Sequence, residues 1–200
     1  MEKRIREKKL TRENLLGLEQ YAEVRNAFRK AVIEHKRDRR LPLGTNATLY
    51  FEDKLTMQYQ VQEMLRIERI FEPAAIVDEI EAYNPLIPDG HNWKATFMVE
   101  FADPEERRVM LNSLVGIEDH VWMKIGADEK IRPIADEDLE RDTDEKTSAV
   151  HFLRFELVPA QIEALKNGAE LSAGIDHPGY QVDVQPVPEN VRRSLINDLD

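Results

Sequence analysis

The sequence predicts an α+β fold: a single domain over residues 1–200, with a mixed or mainly antiparallel sheet and helices packed on it. Three observations carry this. Helical and strand patterns alternate along the chain, and several strand-to-strand connections are too short for parallel crossovers, which need a dozen or more residues. The 200 residues are 42% hydrophobic with only 8 Gly and 10 Pro, enough apolar surface to offset the entropy of folding at a length where roughly 70% of the unfolded surface can be buried.

Residues 1–10 open on charges, from Met1-Glu2-Lys3-Arg4 onward, and are expected to be a loose basic segment. Residues 11–40 read as helix, because Tyr21, Val24, Phe28, Ala31, Val32 and His35 recur at spacings of three and four. Leu41-Pro42-Leu43-Gly44 ends it. "NATLYFED" (46–53) is strand-like, and 54–71 returns to helical period with Asp53 or Thr56 as its cap. Pro73 opens a short helix bearing Ile76, Ile80 and Tyr83 on one face, and Asn84-Pro85 closes it.

The clearest strand is "WKATFMVEF" (93–101), where Trp93, Ala95, Phe97, Val99 and Phe101 alternate with polar or flexible neighbours. Asp103-Pro104-Glu105-Glu106 starts a helix that runs to about Val115, where Gly116 stops it. Short strands follow at 120–126 and 131–135, then a longer, centrally placed strand at 148–158 with apolar residues on both faces. Pro159 begins a helix ending at Gly168. "AELSAGI" and "YQVDVQPV" are strands, and "PENVRRSLINDL" is a closing helix.

Composition also excludes functions. The chain has no Cys, which removes disulfides, thiolate nucleophiles, zinc fingers and protein-ligated iron–sulfur clusters. No signal-peptide core follows the first charges, and no stretch approaches the roughly 20 apolar residues of a membrane span, so a cytoplasmic location is expected. The net charge is −11, yet residues 1–40 hold 13 Lys/Arg against 7 Asp/Glu, a local +6, leaving −17 elsewhere.

Four residues stand out as candidate ligands or acid–base groups. On a helical wheel Glu68 falls among Met57, Val61, Met64 and Phe71, so continuous helix over 54–71 would bury it and require a partner, with Arg154 or His151 the candidates. His151 shares a strand face with Ala149, Leu153, Phe155 and Leu157, where it is a satisfied core residue, a metal ligand or a proton shuttle. His177 sits in "DHPGY" (176–180) beside a Pro178-Gly179 turn. Glu100 joins them as a carboxylate in a metal reading, since imidazole and carboxylate together suit iron, manganese or zinc.

Weaker features accompany these. The loop 84–92 reads as a connector or the lining of a pocket, delivering His91 to the strand at Trp93. The run Asp136–Lys146 has seven acids and two bases, but counted as a calcium loop it puts Arg141 where the turn requires Gly, which rejects an EF-hand. Lys36, Arg37, Arg39 and Arg40 form a basic helix tail without aromatic platforms, so nucleic-acid binding is not expected. No phosphate loop, nucleophile elbow, His-Glu-x-x-His or Glu-x-x-His motif occurs.

"TLYFEDKLTMQYQVQEMLRIERI" (48–70), "AYNPLIPDG" (82–90), "ADEDLERDTDEKTSAVHFLRFEL" (135–157) and "DHPGY" (176–180) together resemble the bacterial DUF3501 family, named for lacking a known function. The resemblance implies genomic association with a rubrerythrin-like protein and a Cys-rich iron–sulfur protein of heterodisulfide-reductase type, and through them a link to peroxide or redox defence. It transfers no catalytic residues. The leading expectation is therefore a non-catalytic accessory or partner protein of such a system. The alternative is a metal-binding protein or metal-dependent enzyme using Glu68, Glu100, His151 and His177.

Overall fold

The computed structural model describes residues 9–139, 141, 143 and 146–200. Within them the expected α+β class holds, but the strands divide between two sheets. In the first, β1 (Arg40–Leu43), β2 (Ala47–Glu52), β3 (Asn92–Val99), β6 (Val150–Glu156) and β5 (Ile134–Ala135) lie in that order. The second holds β4 (Val121–Ile125), β7 (Leu171–His177) and β8 (Tyr180–Val184), with β7 in the middle. The β1/β2, β3/β6, β5/β6, β4/β7 and β7/β8 pairs are antiparallel, and for β1/β2 and β7/β8 the short connections require it.

By its contacts the chain forms two compact units. One comprises Met1–Asp38 and Glu52–Asp89, the other Arg39–Phe51 and Gly90–Asp200.

The first unit is helical: α1 (Leu18–Arg37), α2 (Lys54–Ile67) and α3 (Pro73–Tyr83). Its core is Leu10, Met57, Val61, Leu65, Ile80 and Ile87, the apolar stripe of α2 meeting that of α3. Asp53 caps α2 by accepting the Thr56 N–H at 2.9 Å while Thr56 Oγ1 accepts the Asp53 N–H at 2.9 Å, a reciprocal cap that contributes about 1 kcal/mol. Of the segment expected to be loose, residues 1–8 lie outside the described residues. Leu10 is buried, with its N–H on Asn84 Oδ1 at 2.8 Å.

α1 is shorter than 11–40. A 3-10 turn at Arg12–Asn14 precedes it, and of its expected stripe only Tyr21 and Val32 are buried, Val24 and Ala31 being exposed. Tyr21 donates its hydroxyl proton to Glu63 at 2.7 Å, and Arg25 holds the same carboxylate through two N–H groups at 2.7 and 2.8 Å. Of the basic tail, Lys36 and Arg37 lie in the last turn of α1, but Arg40 opens β1 and Arg39 is buried at 2% exposure. A guanidinium cannot be buried unpaired. Arg39 donates to Phe51 O at 2.9 Å, Ser194 Oγ at 3.1 Å and Asp198 Oδ2 at 2.6 Å.

The second unit carries both sheets with α4 (Pro104–Ser113), α5 (Pro159–Lys166) and α6 (Glu189–Ile196). The inward face of β3 is the one read from alternation, with Trp93, Ala95, Phe97 and Val99 all buried. β6 lies between β3 and β5, and Phe97 stands opposite His151 in the β3/β6 register. Asp103 caps α4 by accepting the N–H groups of Glu105 and Glu106. Tyr180 closes the β1–β2 turn: its hydroxyl donates to Leu43 O at 2.9 Å and accepts the Asn46 N–H at 3.1 Å. Gly44 (φ 77°) suits that place twice over, because an added Cβ would stand 2.7 Å from the Tyr180 hydroxyl.

Candidate functional site

The structure places Glu68 differently from the expectation. α2 ends at Ile67, Glu68 is its C-cap residue and is exposed, and Arg69 at φ 55° turns the chain away. The apolar stripe closes at Leu65, and Phe71, expected on it, is 66% exposed. Glu68 therefore needs no buried partner, and Arg154 instead pairs with Glu137 at 2.7 Å and with Glu156. Glu100 also points its carboxylate to solvent, while its backbone N–H and C=O bond to Asn46.

His151 is the most enclosed of the four, its side chain 0% exposed. Nδ1 lies 2.6 Å from Asp136 Oδ2, and Nε2 lies 2.9 Å from Thr147 Oγ1 and 3.1 Å from Ser148 O. A carboxylate only accepts, so Nδ1 carries the proton shared with Asp136. Buried Glu118 brings Oε2 to 3.8 Å from Nε2.

β6 fixes the imidazole on the core face, while the reversal after β5 fixes the carboxylate. Asp136 takes up φ 48°, which Asp tolerates better than most residues. Its N–H donates to Phe152 O at 2.8 Å, and its Oδ1 accepts the Phe152 N–H at 2.9 Å. Arg141 bridges Oδ1 of Asp136 at 3.0 Å and Asp138 at 2.7 Å, with its guanidinium 4.6 Å from the centre of the Phe152 ring.

Carboxylate, imidazole and hydroxyl thus stand in the order used to activate a nucleophile. The hydroxyl, however, belongs to Thr147, which is 1% exposed. No substrate reaches it in this conformation, and the arrangement acts as a polar core that pins Asp136 and Thr147 to β6.

His177 ends β7 rather than occupying the turn itself. Its Nδ1 accepts the Gly179 N–H at 3.0 Å, so the proton is on Nε2, which donates to Val115 O at 3.2 Å. Burial, the largest influence, holds its pKa below the usual imidazole range. Its ring meets His120 edge to face at 5.1 Å.

Beside it Asp176 takes two bonds from Arg132 (2.8 and 2.6 Å) and one from Lys130 (2.9 Å), with His120 Nδ1 at 3.4 Å. Arg132 and then Lys130 hold the Asp176 carboxyl well below the usual carboxylate range. Among the described residues no three His, Asp or Glu side chains gather as a group fit to hold a metal ion. The 84–92 loop does reach a concavity: His91 lines an open depression of about 320 Å³ with Pro159, Ile162, Glu163 and Lys166.

Sequence reasoning found His151 and His177 but missed their neighbours. Asp136 was visible only as the first acid of a charged run, and Lys130, Arg132 and His120 carried no spacing signal, since they lie outside the strands, on the loop held by the isolated Met123–Ile131 bridge and on the 3-10 turn before β4.

The model of the protein family of unknown function DUF3501 matches residues 9–199 of the chain. The chain belongs to the DUF3501 family. A crystal structure of a novel protein of unknown function from Burkholderia pseudomallei K96243 is similar at 50% identity with a TM-score of 0.90, covering 96% of this chain and 100% of that one. No curated protein matches. The DUF3501 chain has no helix, among its described residues, long and apolar enough to cross a membrane.

Proposed function

We propose that this DUF3501 protein is a non-catalytic partner of a redox protein of the iron–sulfur or rubrerythrin-like kind, and that it docks through the corner between α2 and α3. The observation that carries this is that three of the nine large apolar side chains exposed among the described residues fall within residues 67–77: Ile67 at 57%, Phe71 at 66% and Val77 at 42%. Scattered apolar side chains are ordinary on a surface, but several large ones on one short segment are characteristic of an interface. The sealed Asp136–His151–Thr147 arrangement supports the same reading, because its polar groups serve the fold. The class of partner rests on the family's association with such proteins.

Co-purification from the native host under aerobic and anaerobic lysis tests the proposal. Enrichment of an iron–sulfur or rubrerythrin-like protein by the wild-type chain, lost on Phe71→Asp with the fold retained by circular dichroism, is the expected result. Lack of enrichment under both conditions, or equal enrichment by the variant, overturns it.

A further inference from the structure

Trp122 is 4% exposed, and its indole N–H is buried with no hydrogen-bond acceptor among the described residues. The other tryptophan, Trp93, donates to Leu195 O at 3.0 Å. A buried N–H without an acceptor is unfavourable by about 1 to 3 kcal/mol, so the orphan calls for an explanation.

Strand register puts Trp122 opposite Gly174. A Cβ on Gly174 would stand 2.4 Å from Trp122 Cζ2, so the glycine is what admits the indole against β7. Lys130 places its ammonium 4.4 Å from the ring centre, and the same ammonium and the Arg132 guanidinium bind Asp176. Two fixed cations and the His120 imidazole thus surround one carboxylate, in a chain whose net charge is −11. Lys130, Arg132 and His120 are each about two-fifths exposed, at 40, 43 and 41%, so these three side chains are reached from outside while the indole N–H is buried.

We propose that this corner of β4 and β7 binds a small phosphate-type oxyanion, with the Trp122 N–H, the Lys130 ammonium and the Arg132 guanidinium as donors. Asp176 is tethered, and its two oxygens are taken by Arg132 and Lys130, while the indole N–H has no acceptor among the described residues. A phosphate presents more oxygens and more charge, and so accepts from all three donors at once. In the free protein Asp176 holds the two cations in place as an internal counter-ion, and the ligand competes with it for them.

The two tryptophans produce two indole N–H resonances in a 15N-labelled sample, assigned by Trp122→Phe. Titration with inorganic phosphate, and in a second arm with glycerol 3-phosphate, should move the Trp122 resonance downfield and leave that of Trp93 in place. Whichever arm saturates at lower concentration distinguishes the free ion from a phosphate monoester. Lys130→Gln and Arg132→Gln should each weaken the binding about tenfold, with the remaining spectrum reporting an intact fold. An unmoved Trp122 resonance in both arms, an equal shift with sodium chloride at matched ionic strength, or wild-type affinity in both variants overturns the proposal.

Discussion

The His151 imidazole and the Asp136 carboxylate meet at 2.6 Å with the ring wholly shielded from solvent. Asp136 also accepts from Phe152 N–H and Arg141, so one carboxylate joins Arg141 and the end of β5 to β6. Asp136→Asn keeps the shape but replaces a charge-assisted bond with a neutral one. Urea unfolding should show a loss of about 1 to 3 kcal/mol; a midpoint equal to that of the wild type would mean that the pair contributes nothing net.

Glu63 gives a pH dependence of known sign. Arg25 first, and Tyr21 with it, hold its pKa at about 2 against an ordinary 4.5, with burial opposing them. A carboxylate depressed in the folded state stabilises fully above its unfolded pKa, and that stability is lost as pH falls from 4.5 towards 2. Glu63→Gln lacks this contribution, so the gap in unfolding free energy between wild type and variant should be widest near neutral pH and close through that window.

Gly174→Ala should be severe. The new Cβ would meet Val182 O at 2.3 Å and Trp122 Cζ2 at 2.4 Å, and neither backbone nor a buried indole yields cheaply. We expect a loss of about 3 kcal/mol or more, read as a lowered Tm together with a changed Trp122 fluorescence.

Arg39 and Asp198 form a buried pair at 2.6 Å with side-chain exposures of 2 and 9%. Removing the cation alone, by Arg39→Met, should destabilise by about 3 to 5 kcal/mol because it takes the guanidinium from the Asp198 carboxylate 2.6 Å away. The double variant Arg39→Met, Asp198→Leu should recover much of that loss. A double-mutant cycle measures the coupling, and additive losses would contradict it.

Glu68→Ala should be nearly silent, within about 0.5 kcal/mol, because Glu68 is an exposed cap residue. Chemical denaturation of the purified variant checks this.

What the sequence determined by itself was local. Pro104 behind Asp103 and the alternation through β3 are short-range signals, tied to one cap and one buried face, and each stands where the pattern placed it; α4, expected to run to Val115, ends at Ser113, and Gly116 at φ 79° leads into the next 3-10 turn instead. The assignment of His151 to a core face followed from period two in the same way. The long-range contacts could not follow from such signals. Arg39 looked like a helix tail because charge is read as exposure, yet Asp198 lies 159 residues away and only folding brings a partner that makes its burial tolerable. Glu68 failed for the converse reason: helical period continued on paper past Ile67, but the left-handed turn at Arg69 ended it and left the carboxylate in water. The division of the strands into two sheets was likewise decided by strand register, and Lys130, Arg132 and His120 reach Asp176 from a loop and a 3-10 turn that only the folded β4/β7 pair brings beside it. Register depends on which faces pack together in space, and no local spacing encodes it.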